Sequence, residues 1–336
     1  MRAVAGALAA LALSMTAWSA SPVSAAPPPS GAHRTHVSTA RQQEALRFWT
    51  DARLRGARDV TRTAPAASHR SAAPGVTAPG RTGAEVRVAP APAPAAVRQA
   101  AARAALTASS PAPWTGGGLI GTTEGKVFFQ NAGGGTFACS ATVANADNRS
   151  VVLSAGHCVV DAATGEVYRN WVFIPGYANG NRPYGTFTAT DLFHLDQYVA
   201  TAGNANWDMA FARVGQVDGR TLGDTVGAQG IAFNSPTGRH VHSFGYGGSA
   251  AEGNGERLNH CEGDEFADAG REGSTMWGID CVQTGGSSGG GFLADFDTAA
   301  GSGYLVGNIS VSAGSNEYHP FLGNEALGLY QQAGAA

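Results

Sequence analysis

The chain has 336 residues, only 14% of them charged, with a net charge of −3. That length holds roughly two average domains, or one β domain with extra segments. Residues 1–113 carry 13 arginines against four acids, and residues 114–336 carry 21 acids against nine basic residues, so the two parts should attract each other. The N-terminal arginines are scattered among Ala and Pro with almost no aromatic between them, which argues against a nucleic-acid surface.

Met1-Arg2, an apolar run to Trp18 and then Pro22-Val23-Ser24-Ala25-Ala26 read as a secretory signal peptide, residues 1–26. The run is too short for a membrane anchor, and no later segment is long and apolar enough to span a bilayer. The expected location is extracellular. Residues 27–113 are rich in Ala, Pro, Arg and Thr, with Pro27-Pro28-Pro29 and Ala89-Pro90-Ala91-Pro92-Ala93-Pro94 unsuited to helix or sheet interiors. Ser38–Trp49 reads as a helix with Leu46, Trp49 and Leu54 near one face, too short to fold alone. The expectation is a largely disordered pro-segment that docks on the acidic part and is later removed; a secretion linker is the alternative.

From Trp114 to the C-terminus, short apolar or alternating runs are separated by Gly, Asn and Asp clusters: Lys126–Gln130, Gly135–Val143, Ser150–Ser154, Trp171–Pro175, Tyr184–Ala189, Met209–Val214, His240–Phe244 and Gly303–Ile309. A single short helix is expected at Asn324–Gln332. This pattern is that of an all-β sandwich or barrel over 114–336. Four cysteines, Cys139, Cys158, Cys261 and Cys281, in a secreted chain imply two disulfides with three possible connectivities. Sequential pairing is the simplest. No CxxC pair exists to hold zinc, and no metal or cofactor is assigned. Calcium in the acidic stretch Glu262-Gly263-Asp264-Glu265 with Asp268 is outweighed by a solvated loop.

Three stretches carry chemistry. Val151–Cys158 reads as a strand that turns into His157, held between a glycine and a cysteine as a general base requires. Asp208 opens a mostly apolar strand, where a buried carboxylate needs a partner such as a histidine ring N–H. In Thr284-Gly285-Gly286-Ser287-Ser288-Gly289-Gly290-Gly291, glycines let an exposed serine and converging backbone N–H groups coexist. His157, Asp208 and Ser288 follow one another at spacings of 51 and 80 residues.

Ser154-Ala155-Gly156-His157-Cys158, Asp208-Met209-Ala210 and Gly286-Ser287-Ser288-Gly289-Gly290, in that order, resemble the motifs of the chymotrypsin-like serine peptidases, near the V8-like glutamyl-endopeptidase and trypsin-like branches. Leu305–Ser310 resembles the strand lining the primary specificity pocket. The resemblance covers about residues 115–335. It implies two antiparallel six-stranded β-barrels with the active site in the cleft between them. Ser288 would be the nucleophile, His157 the base and Asp208 its orienting acid. Gly286 and Ser288 N–H groups would form the oxyanion hole, and Cys139–Cys158 would bracket the histidine.

The pattern departs in three places. Ser287 stands where trypsin-like relatives carry the aspartate that pairs with a newly cut N-terminus, so Leu119-Ile120-Gly121 should make no such salt bridge. Gly291 replaces the usual proline. Ile309 stands where glutamate-specific relatives place a histidine, and Val282 or Gln283 where trypsin-like relatives place an aspartate. Together with Ser310 these outline the expected pocket, and they imply a neutral residue before the cut bond. The reading is therefore a secreted, monomeric serine endopeptidase made as a zymogen, acting on proteins or peptides, with its own pro-segment as partner.

Two alternatives remain. Gly286-Ser287-Ser288-Gly289-Gly290 also fits the G-x-S-x-G elbow of α/β-hydrolase esterases, but only 48 residues and one histidine, His319, follow Ser288. A non-catalytic binding module on the peptidase fold would usually have lost a triad residue, and none is lost here.

Overall fold

The computed structural model describes residues 1, 31–60, 83–95, 97 and 110–336. The expected signal peptide, residues 1–26, lies, but for Met1, outside the described residues. The N-terminal segment contributes β1 (Ala32–His36), α1 (Thr39–Phe48), α2 (Asp51–Gly56), β2 (Arg58–Asp59), β3 (Val86–Val88) and β4 (Ala112–Pro113). One turn, α3 (Ile120–Thr123), precedes β5 (Glu124–Gln130), β6 (Thr136–Ala144), β7 (Val151–Ser154), β8 (Arg169–Pro175) and β9 (Phe187–Leu195). Then come α4 (Asp196–Ala200) and β10 (Ala210–Val214).

Antiparallel pairing in the order β9-β10-β7-β6-β5-β8 closes on itself through β8–β9, giving a six-stranded barrel. Val127, Phe129, Val143, Val152, Phe173 and Leu192 belong to its core. Closure leaves no strand edge unpaired.

The second half holds α5 (Leu222–Val226), β11 (Gly230–Phe233), β12 (His240–Gly245), β13 (Asn259–Asp264), β14 (Phe266–Ala267) and β15 (Trp277–Ile279). It ends with β16 (Gly291–Asp297), β17 (Ser302–Asn308), β18 (Val311–Ala313), β19 (Asn316–His319) and α6 (Asn324–Ala335). These strands form a seven-stranded sheet, β3-β11-β17-β16-β12-β13-β4, and a four-stranded sheet, β14-β15-β19-β18. Disulfides join Cys139 to Cys158 and Cys261 to Cys281, the sequential pairing. The second ties β13 to the chain just after β15. Helix α6 buries Ala326, Leu329, Tyr330 and Ala333 at helical spacing, with Tyr330 against Phe211 and Phe233. No described helix is long and apolar enough to cross a membrane.

Residues 31–60 are more ordered than the composition of 27–113 implies. Ser38 and Thr50 hydroxyls cap α1 and α2 by accepting from Arg41 and Arg53 N–H. Between the helices Trp49 is 2% exposed, packs on Phe128 and donates its indole N–H to the Asn170 carbonyl at 2.6 Å. Ala45 and Leu54 are buried beside it, whereas Leu46 is exposed. The short helices are thus stabilised by the barrel they rest on, not by their own propensity. Replacing Trp49 with Ala should remove about 3–5 kcal/mol of that packing. Limited proteolysis should then clip residues 31–60 faster while the barrel stays intact.

Candidate active site

Strand register brings two of the three motifs together. β10 runs antiparallel to β7 with Ala210 opposite Ser154. The residues just before β10 therefore meet those just after β7. Asp208 is fully buried and accepts from the His157 backbone N–H at 2.8 Å, with His157 Nδ1 2.7 Å from its other oxygen. Ser310 Oγ donates to that same oxygen at 2.5 Å, and Asn308 Nδ2 donates to the Asp208 carbonyl at 3.0 Å. These donors hold the buried carboxylate in place, and it in turn fixes the imidazole's rotation. His157 Nε2, the other ring nitrogen, is buried with no hydrogen-bond partner among the described residues.

The third motif arrives from the second half. The Ser288 carbonyl accepts from Ser140 N–H at 2.8 Å and lies 3.7 Å from Cys158 Sγ, so Ser288 is held against the disulfide adjoining His157. The turn depends on its glycines. A Cβ on Gly289 (φ +88°) would stand 2.3 Å from both the Ser140 carbonyl oxygen and Ser154 Oγ, and one on Gly286 (φ +96°) 2.7 Å from the Tyr246 carbonyl oxygen. Ile309 clamps the turn, accepting from Gly289 N–H at 2.7 Å and donating to the Gly290 carbonyl at 2.8 Å. Ser287 is turned away, its hydroxyl on the Thr284 carbonyl at 2.7 Å.

The expected pocket residues have separate tasks. Ser310 and Ile309 hold Asp208 and the serine turn, as above. Gln283 N–H donates at 2.9 Å to Glu317, a wholly buried carboxyl that also takes the Ser243 hydroxyl. Val282 is half-buried. Burial raises Glu317 to about 7 against the opposing pull of those donors. Glu317 escaped the sequence reading. Its only signal was an acid inside the apolar-flanked strand β19, a position that needs a partner. Leu119 and Ile120 N–H groups are bonded to the Ala300 and Gly301 carbonyls.

The N-terminal segment enters the same place. β2 pairs in parallel with β6, Asp59 opposite Ala138, and Val60 N–H donates to the Ala138 carbonyl at 3.0 Å. Gly286 N–H donates in turn to the Val60 carbonyl at 2.8 Å. Asp59 lies against Gly248 and Gly286, with Lys126 Nζ at 4.0 Å; Lys126, the only lysine in the chain, is itself buried. Burial raises the Asp59 carboxyl despite Lys126.

Two outcomes are expected. Gly289→Ala should cost at least about 2 kcal/mol, from a strained φ and overpacking, read as a lower denaturant midpoint. Glu317, with a folded value raised above the ordinary 4.5, stabilises the fold below 4.5 and loses that contribution as pH rises through about 7. Unfolding free energy should therefore fall across that window, and Glu317→Gln should flatten the slope.

Solved structures resemble this chain along nearly their whole length. The protease Anisep from Arthrobacter nicotinovorans is 35% identical, with a TM-score of 0.59 covering 64% of this chain and 96% of that one. A thermostable serine protease, AL20, from an extremophilic microorganism is 33% identical, with a TM-score of 0.59 covering 65% and 99%. A Glu endopeptidase solved in complex with MPD shares the fold at 18% identity and a TM-score of 0.53, over 67% and 97%. No protein-family model and no curated protein sequence matches. On two full-length matches above 30% identity, added to the barrel and its order of motifs, the chain belongs to the bacterial chymotrypsin-like serine proteases.

Proposed function

We propose that the protein is a secreted serine endopeptidase that works through His157, Asp208 and Ser288, and that residues 57–60 hold it inactive until removed. The observation that carries the first part is the buried Asp208–His157 pair at 2.7 Å beside the glycine turn bearing Ser288. Ser288 Oγ attacks the scissile carbonyl while His157 Nε2 takes its proton. The C–N bond then breaks as His157 returns the proton to the leaving amine, leaving an acyl-enzyme. Water, activated by the same nitrogen, hydrolyses that ester. Asp208 keeps the imidazole in the tautomer with Nε2 free. Gly286 and Ser288 N–H groups carry the oxyanion, at roughly 3 kcal/mol per donor.

The inhibitory part follows from occupancy. The Val60 carbonyl takes the Gly286 N–H that a substrate's oxyanion would need, so segment and substrate exclude each other. With Ser287 in place of an aspartate, position 287 offers a new N-terminus no carboxylate. Activation is then removal of the segment. For the residue before the cut bond, the Glu317 carboxyl is engaged by Gln283 and Ser243 and is no free counter-charge, which supports a neutral preference.

The full-length chain should label only slowly at Ser288 with a fluorophosphonate probe, the chain cleaved after residue 60 should label fast, and His157→Ala should abolish labelling of both. Folded protein that never labels would instead favour a binding module on this fold. Asp208→Asn should slow turnover about 10⁴-fold with folding unchanged. Val60→Pro removes the N–H that anchors the segment to Ala138, and should speed labelling at least about ten-fold. A peptide-library digest should show cleavage after neutral residues; cutting mainly after Glu or Arg would reject that preference.

A further inference from the structure

One face of the β12–β13 hairpin gathers histidines that the peptidase reading does not use. In the antiparallel register His240 is opposite Asp264, His242 opposite Glu262, and Phe244 opposite His260. Because strand side chains alternate, these six share one face. On the other face Cys261 bonds Cys281, which anchors β13. His242 and His260 are buried beneath Phe296 and Trp114.

Their ring nitrogens converge on one carboxylate oxygen. His242 Nδ1 lies 3.2 Å from Glu262 Oε2, and His260 Nε2 and His240 Nε2 each lie 3.8 Å from it. His242 Nδ1 and His260 Nε2 are 3.1 Å apart. His240, His242 and Glu262 each present a ligand atom within 4.8 Å of the others. A tetrahedron with metal–ligand bonds of 2.0–2.1 Å has edges of about 3.3 Å. The distances from His242 Nδ1 to Glu262 Oε2 and to His260 Nε2 approach that edge, and His240 completes a set of three with His242 and Glu262. His240 Nδ1 also meets Asp264 Oδ1 at 2.9 Å, the outer carboxylate that orients a metal-binding imidazole.

One N–H on His242 Nδ1 cannot serve both Glu262 and His260; a cation among them would satisfy all three.

The geometry points to a divalent transition-metal site, zinc by its ligand chemistry, formed by His240, His242, His260 and Glu262. Imidazole with a single carboxylate suits zinc over calcium or magnesium, which take oxygen ligands. The acidic stretch considered above for calcium is divided: Glu262 and Asp264 face the histidines, while Glu265 pairs with His319 and Asp268 with Arg271. A metal here would pin β12 to β13, the strand on which Ala112–Pro113 docks and whose His260 packs on Trp114.

The test needs no catalysis. Full-length protein with disulfides intact is stripped with EDTA and titrated with Zn²⁺ by calorimetry, and with Co²⁺ while visible absorption is followed. The expected result is one saturable Zn²⁺ per chain, not displaced by excess Ca²⁺, with the strong Co²⁺ band of a tetrahedral site. His240→Gln, at a half-exposed position that should not disturb folding, and the isosteric Glu262→Gln should each weaken Zn²⁺ binding at least about ten-fold. No saturable binding, or binding unchanged in both variants, would overturn the assignment. Neither result bears on Ser288 labelling, so this inference and the peptidase reading fail separately.

Discussion

The buried carboxylate of Asp208 is the constraint on which the arrangement depends. A carboxylate with no exposure cannot remain charged unless its lone pairs are filled. Three groups fill them: the His157 backbone N–H, the His157 ring and the Ser310 hydroxyl. The first two come from the end of β7 and the third from just beyond β17. One buried charge thus links the closed barrel to the second half and orients the imidazole as it does so. The Asn308 amide on the Asp208 carbonyl adds a fourth link from the same side.

Around that charge the serine turn is set by exclusion. At Gly286 and Gly289 the backbone is left-handed, and each Cβ position is filled by a carbonyl oxygen. Ser288 is placed because Gly289 beside it has no side chain to obstruct the approach of Ser140 and Ile309. Val60 exploits the same openness, reaching Gly286 N–H with its own carbonyl. Its segment is anchored upstream by Trp49 and Leu54 in the barrel surface.

Much of the site was legible in the sequence because its signals are local. A strand ending in Gly156-His157-Cys158, an acid opening an apolar strand and a serine among glycines each carry their chemistry within a few residues. Other parts were not legible. Ser310 and Ile309 were read only as pocket lining, and their hydrogen bonds to Asp208 and the serine turn escaped that reading. Glu317 and the face of His240, His242, His260 and Glu262 depend on which strands pair and in what register. The helical residues Ser38–Trp49 looked too short to fold alone. Their order comes from a surface supplied elsewhere in the chain.

The sequence by itself determined the all-β class, the order of the three motifs and the C-terminal helix, because periodicity and turn chemistry act over short distances; it left three disulfide pairings open, and the structure shows the sequential one. Only the tertiary structure decided which backbone donors surround the serine, that Val60 lies among them, and that four metal-type ligands share one face of β12 and β13. Those facts follow from registers between strands distant in the chain. A shift of one residue would turn every side chain to the opposite face.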